Sequence, residues 1–197
     1  MNKLFVIALL GSSLAVPVFA QQGQQPQAPP TTAAFVRNMY ATATRTTSSA
    51  PGRKSPRIST ASVPVRRMEV RTFGQHLAHV ANYNFLWCAQ AKGEKNPSAG
   101  INLEKTLKTK AEIQKALADS FAYCDPVYAA LTDENGAQVV EIQQENGRVT
   151  RNTRMALLML NVAHNNELHG NLVTTMRIKS IVPPSSEPRP AQGGRGN

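Results

Sequence analysis

Residues 157–179 read LLMLNVAHNNELHGNLVTTMRIK, and this stretch decides the fold. Leu157, Leu160, His164, Leu168, Leu172 and Met176 recur at steps of three and four, so one face of an α-helix persists for more than five turns. The pattern predicts a helix from about Thr150 to Lys179, stopped by Pro183-Pro184. Upstream, Phe73, Leu77, Val80, Asn84, Trp87 and Ala91 set a helix over Thr72–Lys92. Ile113, Leu117, Phe121, Cys124, Tyr128 and Leu131 set another over about Leu103–Leu131. Gly93–Asn102 separate the two, with Pro97 and Gly100 as breakers. Turn signals at Asn135-Gly136 and Asn146-Gly147 leave a short irregular piece before the last helix. Thr32 is placed to cap a first helix through Ala33, Phe35, Val36 and Tyr40. The fold class predicted is all-α, an antiparallel four-helix bundle over residues 32–182.

The amino terminus is a different kind of sequence. Lys3, the apolar run Leu4–Val18 and the ending Val18-Phe19-Ala20 have the charge, core and small-residue exit of a cleavable signal peptide, residues 1–20. The run is short of the roughly 20 apolar residues that a membrane span needs. Gly11, Ser12 and Ser13 weaken it further, so cleavage and no stable membrane insertion afterwards are expected. A Gln- and Pro-rich linker at residues 21–31 and a Gly/Pro/Arg tail at 183–197 are expected to be disordered. The expected location is therefore exported, periplasmic or secreted. A net charge of +10 would by itself suggest a nucleic-acid partner. However, Arg45, Arg53, Lys54, Arg57, Arg66 and Arg67 all fall in 43–67, a stretch without an acidic residue. The charge belongs to one irregular basic segment that also holds Pro51, Pro56 and Pro64, and no nucleic-acid partner is expected.

All four histidines lie on two predicted helices: His76 and His79 on one, His164 and His169 on the other. Imidazole is a common metal ligand at neutral pH, and bundle cores assemble such sites from facing helices. His76 and His79 share a face. His164 and His169 do not, being about 140° apart around the axis, whereas Glu167 lies about 60° from His164. The other reading makes His164 a hydrogen-bonded core residue, with His76 and His169 on the solvated side. Cys88 and Cys124 are the two cysteines, each among apolar neighbours in a chain bound for an oxidising compartment. A disulfide is the expected state, with two buried thiols or one reactive thiol as alternatives.

Arg71–Glu94, RTFGQHLAHVANYNFLWCAQAKGE, and Leu157–Ser186, ending in IVPPSS, resemble the two signature regions of the DinB family. The resemblance covers most of residues 68–186 and rests on the T-F-G opening, the helix-two histidine, the His164/His169/Gly170 cluster and Ile181-Val182-Pro183-Pro184. It implies a four-helix bundle that commonly holds a divalent metal (zinc-, nickel- or iron-like) through three histidines. Some members are thiol-dependent transferases or isomerases. Carried over, the first ligand matches His79 and the second His164, while the third position is Leu168. The resemblance thus gives His79 and His164, and helical spacing offers Glu167 in place of Leu168, so the expected ligand set is His79, His164 and Glu167, with His76 or His169 as lesser candidates. The function implied is a metal-dependent hydrolase or thiol-dependent transferase acting on an unknown small molecule, with a homodimer as a further assembly. A non-catalytic helical binding bundle with a degenerate metal site is the alternative. The basic segment bears on the choice: DNA for Thr46–Pro64 can be written so that the neighbouring frame reads NYLIRAGEKIPEDQYGFRP. That string resembles what the family carries between its first helix and the T-F-G opening. A frameshifted first-helix region is one reading of 43–67, and a disordered basic linker is the other.

Mass spectrometry of fractionated cells is expected to find the mature chain beginning at Gln21 outside the cytoplasm. An intact Met1 on a cytoplasmic protein refutes export.

Overall fold

The computed structural model of this chain describes residues 31–49, 70–144 and 147–186. The signal peptide, nearly all of the linker, residues 50–67 of the basic segment with Met68 and Glu69 after it, Asn146 of the expected Asn146-Gly147 turn and the tail beyond Ser186 lie outside the described residues. The fold is mostly helical. Four long helices, α1 (Thr32–Ser49), α2 (Phe73–Lys92), α4 (Lys110–Ala129) and α6 (Arg154–Ile178), form the bundle. Short helices α3 (Leu103–Thr106) and α5 (Asp133–Gly136) sit in the connections, and a hairpin of β1 (Val139–Gln143) and β2 (Val149–Thr153) precedes α6.

Several expected boundaries move. α1 does not dissolve near residue 43 but continues to Ser49, burying Ala43 and Thr47 completely. Its Thr and Ser residues stay helical because their hydroxyls donate back into the preceding turn: Thr42 to Asn38 O at 3.0 Å, Thr46 to Thr42 O at 3.0 Å, Ser49 to Arg45 O at 2.7 Å. Its cap is Thr31 rather than Thr32, since Thr31 Oγ1 accepts from the Ala34 N–H at 3.1 Å. The expected third helix is broken at Leu107–Thr109, where Thr109 and Glu112 form a capping box that starts α4 afresh. The irregular piece is the β1–β2 hairpin, paired antiparallel with Ile142 opposite Thr150. Part of the expected tail is also ordered: Ser186 donates to Pro183 O at 2.8 Å, and Arg177 to Ser186 Oγ at 3.3 Å.

The bundle is not antiparallel throughout. Asn84 on α2 meets Ser120 on α4, and Cys88 one turn later meets Cys124. Both numbers rise together, so α2 and α4 run parallel. α6 runs against them, because Asn84 pairs with Asn165 and Cys88 with Asn161. α1 also opposes α4, with Arg37 reaching Leu131 O and Tyr40 reaching Asp125. Residues 93–109 are long enough to return the chain to the start of α2 before α4 begins. A short turn would have reversed it.

The core mixes apolar packing with a polar layer. Leu77, Val80, Leu157, Leu158 and Leu172 are fully buried, or nearly so. Tyr40 stacks on Tyr128 with ring centroids 3.6 Å apart. In the polar layer, Asn165 donates to Asn84 Oδ1 (2.9 Å), Asn84 donates to Ser120 Oγ (3.1 Å), and Ser120 donates to Leu117 O (2.8 Å). Asn161 donates to the Tyr128 hydroxyl at 3.1 Å and lies 3.6 Å from Cys88 Sγ. Cys88 and Cys124 are joined as a disulfide with Cα atoms 5.5 Å apart, well inside the range a disulfide allows.

The disulfide closes 36 residues of chain, for which loop-closure entropy gives about 4 kcal/mol. The Cys88→Ala/Cys124→Ala protein is expected to unfold at lower urea with stability reduced by about 3–4 kcal/mol. An unchanged midpoint refutes the cross-link.

Candidate functional site

Thr72 fixes where α2 starts. Its Oγ1 accepts from the Gln75 N–H at 3.2 Å, and Gln75 Oε1 accepts from the Thr72 N–H at 2.8 Å. This capping box places His76 and His79 in the first two turns. His76 is turned onto its own helix: Nδ1 lies 3.1 Å from Thr72 O, and burial holds its pKa below the usual range. It does not join the site.

His79 does. Its Nδ1 bonds the carboxylate of Glu104, a residue that spacing did not single out. Glu104 arrives on α3, whose first turn is capped by Asn102 and tied to α2 by the Leu103 N–H donating to Asn82 Oδ1 at 3.3 Å. Arg71 Nε donates to the other Glu104 oxygen at 2.6 Å. Burial alone would raise the Glu104 pKa, but His79 and Arg71 together outweigh it and hold the carboxyl below its usual range. An Nδ1–H held by a carboxylate leaves the lone pair of His79 on Nε2.

His164 on α6 completes the centre. Its ring lies 5.0 Å from that of His79 and is walled by Tyr83 at 4.8 Å and Trp87 at 5.1 Å, all between ring centroids. Burial and the neighbouring His79 push its pKa down, so the imidazole is neutral at pH 7. Its Nδ1 is 3.4 Å from Glu167, an exposed carboxylate, and its buried Nε2 has no hydrogen-bond partner. His169 stays apart, with its own Nδ1 buried and unpartnered. Leu168, at the third-ligand position, is a core residue only 2% exposed. Among the described residues, no three His, Cys, Asp or Glu side chains stand as a metal-holding group. What the structure brings together is thus a pair of imidazoles with Glu104 on one and Glu167 on the other.

A groove of about 1110 Å³ opens beside this pair, between α2, residues 93–102 and β1. Arg71, His79, Tyr83 and Glu104 line one end of it, while His164 and Trp87 stand outside the lining. Among the described residues, no helix is long and apolar enough to cross a membrane.

The sequence profile of the DinB superfamily matches residues 22–169. No curated protein matches the chain.

Three histidines, His76, His164 and His169, are held below the ordinary 6.5 chiefly by burial. On acidification the unfolded chain protonates them first, so the unfolded state binds more protons as the pH drops below about 6.5. Their contribution to stability is full above that pH and is lost as the pH falls through the folded-state values. Metal-free protein is expected to unfold at lower urea at pH 5 than at pH 7, with a shallower slope for His169→Gln. A pH-independent midpoint across that window contradicts the buried, neutral assignment.

Proposed function

We propose that this chain, which belongs to the DinB superfamily, is an exported protein that acts on a small molecule at a divalent-metal site built on His79 and His164. The observation that carries the reading is the Nε2 of His164, a buried nitrogen of a neutral imidazole with no partner, beside a second histidine. A buried polar atom without a bond costs about 1–3 kcal/mol, and a ligand at that nitrogen removes the cost. Both imidazoles suit a zinc-, nickel- or iron-like ion. Such an ion supplies Lewis-acid activation of a water or thiol, as a hydrolase or a thiol-dependent transferase requires. The protein's own part is positioning. Glu104 fixes the His79 tautomer, Tyr83 and Trp87 hold the His164 ring, and the groove admits the substrate beside His79. The fit covers two of the family's three donors, because Leu168 has none to offer; Glu167, the third ligand expected from helical spacing, stands 3.4 Å from His164 Nδ1 rather than at the unpartnered Nε2 and would have to swing across the ring to join it. A disulfide inside the bundle supports an oxidising, extracytoplasmic compartment.

Leu168 also favours a second reading, a non-catalytic binding bundle that descends from a metal site. A leucine 2% exposed is an integrated core residue rather than a gap awaiting a ligand.

Elemental analysis of the purified mature protein separates the two readings. Stoichiometric divalent metal, abolished by His79→Ala and retained by His169→Ala, is expected of the enzyme. Glu104→Gln is expected to weaken metal affinity by about 10- to 100-fold. Wild-type protein without metal, together with a Leu168→His variant that binds it, establishes the degenerate site instead.

A further inference from the structure

The groove beside His79 carries three carboxylates, and each has a cation of its own. Glu94 is 2.6 Å from Lys92 and also accepts from the Tyr123 hydroxyl at 3.0 Å. Glu141 is 2.7 Å from Arg151. Glu104 is held by His79 and by Arg71. Arg71, however, uses only Nε for that contact. Among the described residues its two terminal nitrogens meet no acceptor, and its side chain is 43% exposed at the mouth of the groove. Acid is thus neutralised locally; the charge of Arg71 is matched by Glu104 but its terminal N–H donors are left over, and Lys95, further along the same lining, is the cation without an ion pair among the described residues. The charge of Arg71 is also felt at the site, adding to burial in holding both His76 and His164 neutral.

A guanidinium whose Nε is fixed is an oriented fork. Glu104 sets the plane, and the terminal N–H groups are left without a partner on a side chain that lines the groove. One fork matches the two oxygens of a carboxylate, whereas a phosphate dianion calls for more compensating charge than this mouth holds. Past the mouth, Leu86, Ile101 and Ile142 give the lining an apolar stretch. We infer that this groove binds a small molecule carrying a carboxylate, anchored by the terminal nitrogens of Arg71, with an apolar body laid along Leu86, Ile101 and Ile142. The inference rests on the reading above only in taking the His79 end as the place where the molecule reacts; binding itself requires no metal.

The test is calorimetric titration of chelator-treated mature protein with 4-phenylbutyrate, with its uncharged amide as the control probe. Saturable binding of the acid is expected, weakening as salt rises, with the amide bound at least about tenfold more weakly. Arg71→Gln is expected to lose about tenfold or more, Arg71→Lys to recover part of that loss by keeping charge without the fork, and Lys115→Gln to match wild type. Thermal unfolding of each variant controls for a loosened α3. Equal binding of acid and amide, undiminished binding by a folded Arg71→Gln protein, or no saturable binding each overturns the inference. Inorganic phosphate that outcompetes the acid overturns the choice of carboxylate. Because metal is absent throughout, a carboxylate site stands or falls separately from the metal site.

Discussion

Buried at 0% exposure on α2, the side-chain amide of Asn84 must find both its acceptor and its donor partner inside the protein, and it finds them on two different helices. Ser120 of α4 takes its N–H and Asn165 of α6 supplies the N–H that its oxygen accepts. Sliding any of the three helices by one residue would strand at least two buried polar groups, each costing about 1–3 kcal/mol. Apolar packing tolerates such slips far better than directed hydrogen bonds do. The register fixed here reaches the site directly. His79 lies five residues before Asn84 on the same helix, and His164 immediately precedes Asn165. The polar layer therefore sets how the two imidazoles face one another.

The parallel course of α2 and α4 does the rest. A connection that merely reversed the chain would have kept residues 93–109 at the far end of the bundle. Because α4 restarts beside the beginning of α2, the connection must travel back along α2, and it carries Glu104 to His79 on the way. The same return path walls the groove. Topology, more than local sequence, thus supplies the carboxylate that orients the histidine.

This explains what was and was not legible in the sequence. The stripe Ile113, Leu117, Phe121, Cys124, Tyr128 and Leu131 is buried throughout, since all six are apolar or aromatic and periodicity suffices. The stripe on α6 was read slightly off its true face: Leu160 is 48% exposed, and Leu158, Asn161 and Asn165 occupy the core. Two fully buried asparagines look like surface residues to any hydropathy pattern, and they displaced the reading toward Leu160. Helix direction left no trace in the stripes, though the length of 93–109 was a usable sign. Glu104 was illegible because it is 25 residues from His79 and meets it only through that return path. The pairing of His79 with His164 came from the family resemblance, and their rings lie 5.0 Å apart, whereas His76, which shares a face with His79, turns its Nδ1 to Thr72 O, a placement that helical spacing did not reveal.

Cys88 and Cys124 lie on either side of the segment that holds Glu104, so the bond between them turns residues 88–124 into a covalent ring. Lys95 is exposed on that ring. A protease cutting there would open the ring without releasing a fragment. The two pieces would remain one molecule until a reductant parted the sulfurs, and those are enclosed in the core. In a compartment rich in proteases and poor in thiols, such a cut is a wound the molecule can carry without coming apart.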